Sequence, residues 1–180
     1  MIADYIFIWE GNRYIDYRNL GLMVVVVYET QGGSSKRYAE WLAERLDAVC
    51  VSASEMKDDT DGRVIYIGWR SGPMIAGLKD FSYRNNVIAA VCVGLEQYDE
   101  KAMATIRKKN GIDHVFYVRG GMDRSKLSFG QKLLLSFVSA KMTVMNRSPE
   151  DREIRRVMDR GGDFSSPDQL DEAVEWVVNS

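Results

Sequence analysis

A chain of 180 residues with 46% hydrophobic and 28% charged positions and only 3 prolines has the composition of one folded domain with room for a three-layer core, which excludes a disordered chain. A formal net charge of −2 leaves no electrostatic footprint for nucleic acid. No run approaches the roughly 18 uninterrupted apolar residues of a membrane span.

Residues 1–22 stand outside the pattern that follows. DYIFIW, EGN and RYIDY can form a hairpin on a sheet edge, and Met23 would be a natural first residue for the domain occupying 23–180. Leu22–Tyr28, with four consecutive valines, reads as a buried strand that runs directly into Thr30-Gln31-Gly32-Gly33-Ser34-Ser35. This loop has two readings. One is an anion seat: the unpaired amides of a helix start, the hydroxyls of Thr30, Ser34 and Ser35, and glycines that take positive φ and let a phosphate monoester come close. The other is an ordinary strand-to-helix turn with Ser34 as N-cap.

The helix over Ser34–Leu46 buries Tyr38, Trp41, Leu42 and Leu46, and Ala48–Ser52 is a short second strand. Arg63–Gly68 is a third strand, and Pro73–Phe81 is expected to be helical with proline at its first position. Asn86–Gly94 forms a fourth strand, Tyr98–Lys109 a helix closed by Asn110-Gly111, and His114–Val118 a fifth strand. Near-continuous apolar strands alternating with helices imply a parallel sheet covered on both faces.

In such a sheet a ligand lies beyond the carboxyl ends of the strands, at the switch point of the strand order. Three loops are therefore candidate binding elements: Thr30 to Ser35, then Gly68, Trp69, Arg70, Ser71 and Gly72 after the third strand, then Gly94, Leu95, Glu96, Gln97 and Tyr98 after the fourth. Trp69 and Tyr98 stand where a flat ligand can be sandwiched, although each alone also fits plain loop packing.

Segment 122–147 carries Arg124, Lys126, Lys132, Lys141 and Arg147 with no acidic residue from Arg124 to Arg147, interleaved with Leu127, Phe129, Leu133, Leu135, Phe137 and Met142. A basic amphipathic helix of this kind meets a membrane surface, a lipid-soluble substrate or a partner, or else covers the core with its lysines solvated. Arg119, opening this insert, can pair with a substrate carboxylate or with a nearby aspartate, and Arg124 and Lys126 are candidates for the same substrate role. Ser148-Pro149-Glu150 and Ser166-Pro167-Asp168 each start a helix with an N-cap and an early proline, and both read as scaffold. Cys50 and Cys92 lie in apolar runs without a CxxC and read as reduced core thiols of a cytosolic protein; the lone His114 has no ligand-spaced neighbours, so no metal is expected.

Thr30-x-Gly32-Gly33-Ser34-Ser35 resembles the phosphate loop of flavodoxins, usually Ser/Thr-x-Thr-Gly-x-Thr, with Gly32 where threonine is common. More narrowly, VVVVYETQGGSSKRYAEWLAERL, IYIGWRSG, FYVRGGMDRSKLSFGQKLLLSFVSAKM and SSPDQLDEAVEWV resemble the flavodoxin-like family that includes menaquinone-dependent protoporphyrinogen IX dehydrogenase. The resemblance implies a flavodoxin-like αβα sandwich with a five-stranded parallel sheet of order 2-1-3-4-5. It also implies FMN held by its phosphate on Thr30 to Ser35, with Trp69 to Gly72 and Gly94 to Tyr98 flanking the ring. The expected activity is an FMN-dependent oxidoreductase passing electrons from a hydrophobic substrate to a quinone-like acceptor. The expected location is the cytoplasm, with peripheral contact at the inner face of the membrane through the basic insert. The competing readings are a flavodoxin-type electron carrier without its own substrate and a flavin-free binding module. A flavin brings its own redox chemistry, so no acid–base pair is nominated.

Overall fold

The computed structural model describes residues 6–9, 12–15, 23–56, 59–145 and 148–180, without the side chains of 6–9, 12–15, 126, 131, 134, 138 and 141–145. Strands β1 (Ile6–Trp9) and β2 (Asn12–Ile15) pair antiparallel in a two-stranded sheet of their own, Ile6 opposite Ile15. The rest of segment 1–22 lies outside the described residues.

The β-branched runs build the main sheet. β3 (Val24–Tyr28), β4 (Val49–Ser52), β5 (Arg63–Ser71), β7 (Val87–Gly94) and β8 (Val115–Arg119) are parallel and lie in the spatial order β4-β3-β5-β7-β8. Counted among the parallel strands alone, this is the 2-1-3-4-5 order of the flavodoxin-like doubly wound fold, with its switch point between the first and third strands. A short β6 (Met74–Ile75) folds back antiparallel on β5.

Alternation along each strand gives the two apolar faces. Val26, Ile65, Ile67, Val91 and Val118 pack under α1 (Ser34–Leu46) and α6 (Asp171–Val178), where Tyr38, Leu42 and Val177 meet them. Val25, Val27, Val64, Tyr66 and Cys92 face the other way, onto α2 (Leu78–Ser82) and α3 (Glu100–Asn110) through Leu78, Phe81, Met103 and Ile106. Full burial of each such aliphatic side chain contributes roughly 1.5–3 kcal/mol, and with both faces covered the strands need no polar side. Burial pushes the Cys50 thiol up to about 11 and the Cys92 thiol up to about 12, so both stay protonated and unreactive at neutral pH.

Two expectations are corrected. Pro73–Phe81 is not one helix: Gly72 (φ 61°) and Gly77 (φ 73°) take left-handed conformations that turn the chain back, making β6 before the short α2. Ser34 does not cap α1 either. The N-cap is Gly33 at φ 94°, and Ser34 is already helical.

Between β8 and α6 the chain makes a long excursion: β9 (Gly121–Met122), a 3-10 turn over Arg124–Lys126, α4 (Phe129–Met145), α5 (Pro149–Arg160) and β10 (Gly162–Asp163). β9 and β10 pair antiparallel, Gly121 with Asp163 and Met122 with Gly162, so the helical hairpin starts and ends at one ribbon. Ser148 caps α5 reciprocally with Asp151, its Oγ accepting from the Asp151 amide at 3.1 Å and its own amide donating to the Asp151 carboxylate at 3.2 Å. Among the described residues, no helix is long and apolar enough to cross a membrane.

Candidate functional site

The start of α1 forms one pole of the site. Arg37 N–H donates to Gly33 C=O at 3.1 Å as the first bond of the helix, which leaves the amides of residues 34–36 without intrahelical partners. The loop is braced from within: Gly33 N–H donates to Thr30 Oγ1 at 3.0 Å. Ser34 makes a reciprocal pair with Gly121, accepting from its amide at 2.8 Å and donating to its carbonyl at 3.0 Å. Only Gly33 has the positive φ expected of both glycines; Gly32 does not, and a Cβ there would lie 3.7 Å from its nearest neighbour.

Two further strand ends make the sides. β5 continues past Gly68 through Trp69 and Arg70, longer than its apolar run suggested. Gly68 admits the β6 return: a Cβ there would lie 2.8 Å from the Ala76 carbonyl. Gly94 is forced by Tyr117, whose hydroxyl would lie 2.2 Å from a Cβ and donates to Glu96 C=O at 2.7 Å, fixing the third loop. Burial and the nearby Glu96 push the Tyr117 hydroxyl up, so it remains a donor at any ordinary pH. Arg70 and Glu96 pair at 3.5 Å and bridge the second and third loops.

The excursion supplies the roof. α5 is tied to the third loop by Gln97 N–H donating to Glu150 at 2.7 Å. It is tied to β8 by Arg119, which pairs with Glu153 at 3.3 Å, donates to Leu95 C=O at 3.2 Å and stacks on Phe164 at 3.9 Å. Arg124 donates to the Met158 carbonyl. Arg119 and Arg124 thus hold the roof down, and Arg119 takes the structural pairing with a glutamate. The side chain of Lys126 lies outside the described residues.

These elements enclose a cavity of about 640 Å³ at the carboxyl ends of the strands, within the roughly 300–1,000 Å³ range of small-molecule sites. Of the sequence candidates, Thr30, Gln31, Gly32, Ser34, Ser35, Trp69, Arg70, Ser71, Gly72, Gly94, Leu95 and Glu96 line it together. Gly33, Gly68, Gln97 and Tyr98 do not. Gly33 and Gly68 serve backbone geometry, and Tyr98, 58% exposed, turns to Glu100 and packs edge-on to Tyr117 at 6.3 Å. Of the two aromatics expected to sandwich a flat ligand, only Trp69 lines the cavity. Reading the helix that starts at Ser148-Pro149-Glu150 as scaffold missed Asp151, Ile154 and Met158 in the cavity wall; their i, i+3, i+7 spacing is the signal that could have placed them on one face. Leu127 and Leu135, known only as parts of an apolar stripe, complete the roof.

The lining has an amide- and hydroxyl-rich end at α1 and an apolar end under Leu127, Leu135, Ile154 and Met158. That polarity is compatible with FMN: the amides of residues 34–36 and the open backbone at Gly32 would be available to its phosphate, and Trp69 would be available to its ring. Among the described residues, no group of three or more histidine, cysteine, aspartate or glutamate side chains is arranged to hold a metal.

No protein-family model matches the chain, and no curated protein matches it. Among solved structures, a flavodoxin from the domain Archaea is similar over 87% of this chain and 99% of its own, at 10% identity and a TM-score of 0.37. The assignment of this chain to the α/β flavodoxin-like fold rests on its own parallel strand order, with helices on both faces.

Proposed function

We propose that the chain is an FMN-binding oxidoreductase of the protoporphyrinogen dehydrogenase type, taking electrons from a hydrophobic anionic substrate and passing them to a quinone-like acceptor. The observation that carries this reading is the two-ended cavity under a helical roof. A flavodoxin-type shuttle needs one exposed cofactor edge, whereas an apolar roof from Leu127, Leu135, Ile154 and Met158 gives a second, water-poor molecule a wall to lie against. FMN, when bound, supplies the uptake and release of electrons. The chain's own part is to hold the phosphate on the α1 amides, to exclude water with Trp69 and the roof, and to fix the flanking loops through Arg70–Glu96 and Tyr117.

The test is direct. Spectral titration with FMN should saturate at one equivalent, and FMN-loaded protein should oxidise a porphyrinogen with a quinone present. Loading without turnover would leave the electron carrier, and no loading would remove the reading. Trp69→Ala should weaken FMN binding about tenfold, the worth of one aromatic contact, and shift the midpoint potential measured by redox titration.

We also assign to α4 the contact with a bilayer surface bearing anionic lipid, where a quinone resides. Phe129 (84% exposed), Leu133 (50%) and Phe137 (67%) recur every fourth residue on one helix face, in a segment with basic but no acidic residues from Arg124 to Arg147. Phe137→Glu should cut co-sedimentation with anionic vesicles several-fold and leave FMN titration unchanged.

A further inference from the structure

A second cleft of about 450 Å³ adjoins the first and shares Gly32, Ser34, Gly121 and Met122 with it. Its remaining wall includes three arginines on three different elements: Arg37 of α1, Arg124 of the 3-10 turn and Arg160 at the end of α5. Two carboxylates also border it, and both are engaged. Asp163 pairs with Arg37 and accepts from Ser165 N–H at 3.0 Å, while Asp123 accepts from the amide and hydroxyl of Ser125 at 2.9 and 2.6 Å.

The arginines are not used up in the same way. Arg37 is steadied by Asp163 and by Trp41, 5.9 Å from its guanidinium. Arg124 donates to a neutral carbonyl and has no ion-pair partner among the described residues. Arg160 has no ion-pair partner among the described residues. Each guanidinium carries five N–H donors in a rigid fork, so donors remain after these contacts. In a chain of net charge −2, this cleft carries net charge +1 beside the positive end of α1.

We propose that this cleft is a second phosphoryl-binding subsite, next to the one at the start of α1. It takes either the distal phosphate of a flavin dinucleotide or the phosphate of a separate phosphorylated molecule. The inference rests on the flavin reading above and extends it, because the shared wall at Gly32 and Ser34 lets one ligand run from the first cavity into the second. Arg124 and Arg160 supply charge-assisted donors, and Arg37 closes the far side.

The experiment is calorimetric titration of the full chain with FMN, FAD and inorganic pyrophosphate, repeated on Arg160→Gln, Arg124→Gln and the charge-retaining Arg160→Lys. If the phosphate belongs to a dinucleotide, FAD binds about tenfold or more tightly than FMN. Arg160→Gln and Arg124→Gln then each lose most of that margin, FMN affinity is unchanged in Arg160→Gln, and Arg160→Lys keeps part of it. If it belongs to a separate molecule, FAD and FMN bind alike, and pyrophosphate binds FMN-loaded protein saturably with about tenfold loss in Arg160→Gln. FMN binding with no FAD advantage and no saturable pyrophosphate uptake overturns the subsite. Failure of every flavin to bind instead overturns the flavin reading, and pyrophosphate on the unloaded chain then decides the cleft alone: loss of affinity in Arg160→Gln upholds it, and no saturable uptake rejects it.

Discussion

Gly77→Ala is expected to destabilise the fold by about 4 kcal/mol, a large share of the roughly 5–15 kcal/mol that holds a domain together. Two costs combine. The backbone there is left-handed, φ 73°, where a side chain costs on the order of 1–3 kcal/mol. The new Cβ would also lie 1.8 Å from a Glu29 carboxylate oxygen and 2.3 Å from the Tyr66 hydroxyl. That hydroxyl lies 3.1 Å from both the Glu29 carboxylate and the Ala76 carbonyl, so a part-buried contact joining β3, β5 and the β6 return must break, at about 1–3 kcal/mol. Gly72→Ala is the control: it is left-handed too, φ 61°, but open space surrounds it, and its cost should stay near 1 kcal/mol. Urea denaturation of the two variants measures the difference, and equal midpoints would show that the Glu29–Tyr66 contact is dispensable.

Gly32→Asp should remove FMN binding by on the order of 100-fold or more while leaving the denaturation midpoint almost unchanged. Position 32 has ordinary backbone geometry, and a Cβ there meets nothing closer than 3.7 Å, so folding tolerates the change. A carboxylate a few ångströms from a phosphate repels it by about 3–4 kcal/mol at the effective dielectric of a protein surface. Gly32→Thr is the opposite experiment. It adds one hydroxyl donor to an anionic acceptor, about 1.5 kcal/mol, and should tighten FMN about tenfold. Fluorescence titration of FMN against both variants reads the two effects; an aspartate variant that binds FMN like the parent would move the phosphate away from this loop.

The strands were readable because each is a run of β-branched and aliphatic residues, VVVVY, RVIYIG and NVIAAVCVG, whose near-continuous apolarity has no other use in a chain of this composition. The three loops followed from them, since a doubly wound sheet presents its binding elements at one edge. What stayed hidden depends on partners far away in sequence. Pro73 looks like a helix start, yet Ile75 is buried against Tyr66 and Leu78, and that burial makes the segment a returning strand. Ser34 looks like a cap, yet its hydroxyl is taken by Gly121, 87 positions on. Tyr98 sits beside the right loop, but a neighbouring glutamate and Tyr117 draw it outward. α5 carries strong capping signals, and those say where a helix begins without saying what it covers.

The β9–β10 ribbon makes the roof a replaceable cassette. Gly121 and Asp163 lie side by side, as do Met122 and Gly162, so everything between them leaves the framework and rejoins it one strand-width apart. The ribbon therefore fixes the two points that a different hairpin, a longer one, or a tight turn would have to join. On the proposed reading, the opening loop holds the FMN phosphate and the cassette selects the companion molecule. On that reading, the ribbon is the graft point for changing the companion molecule while keeping the opening loop in place.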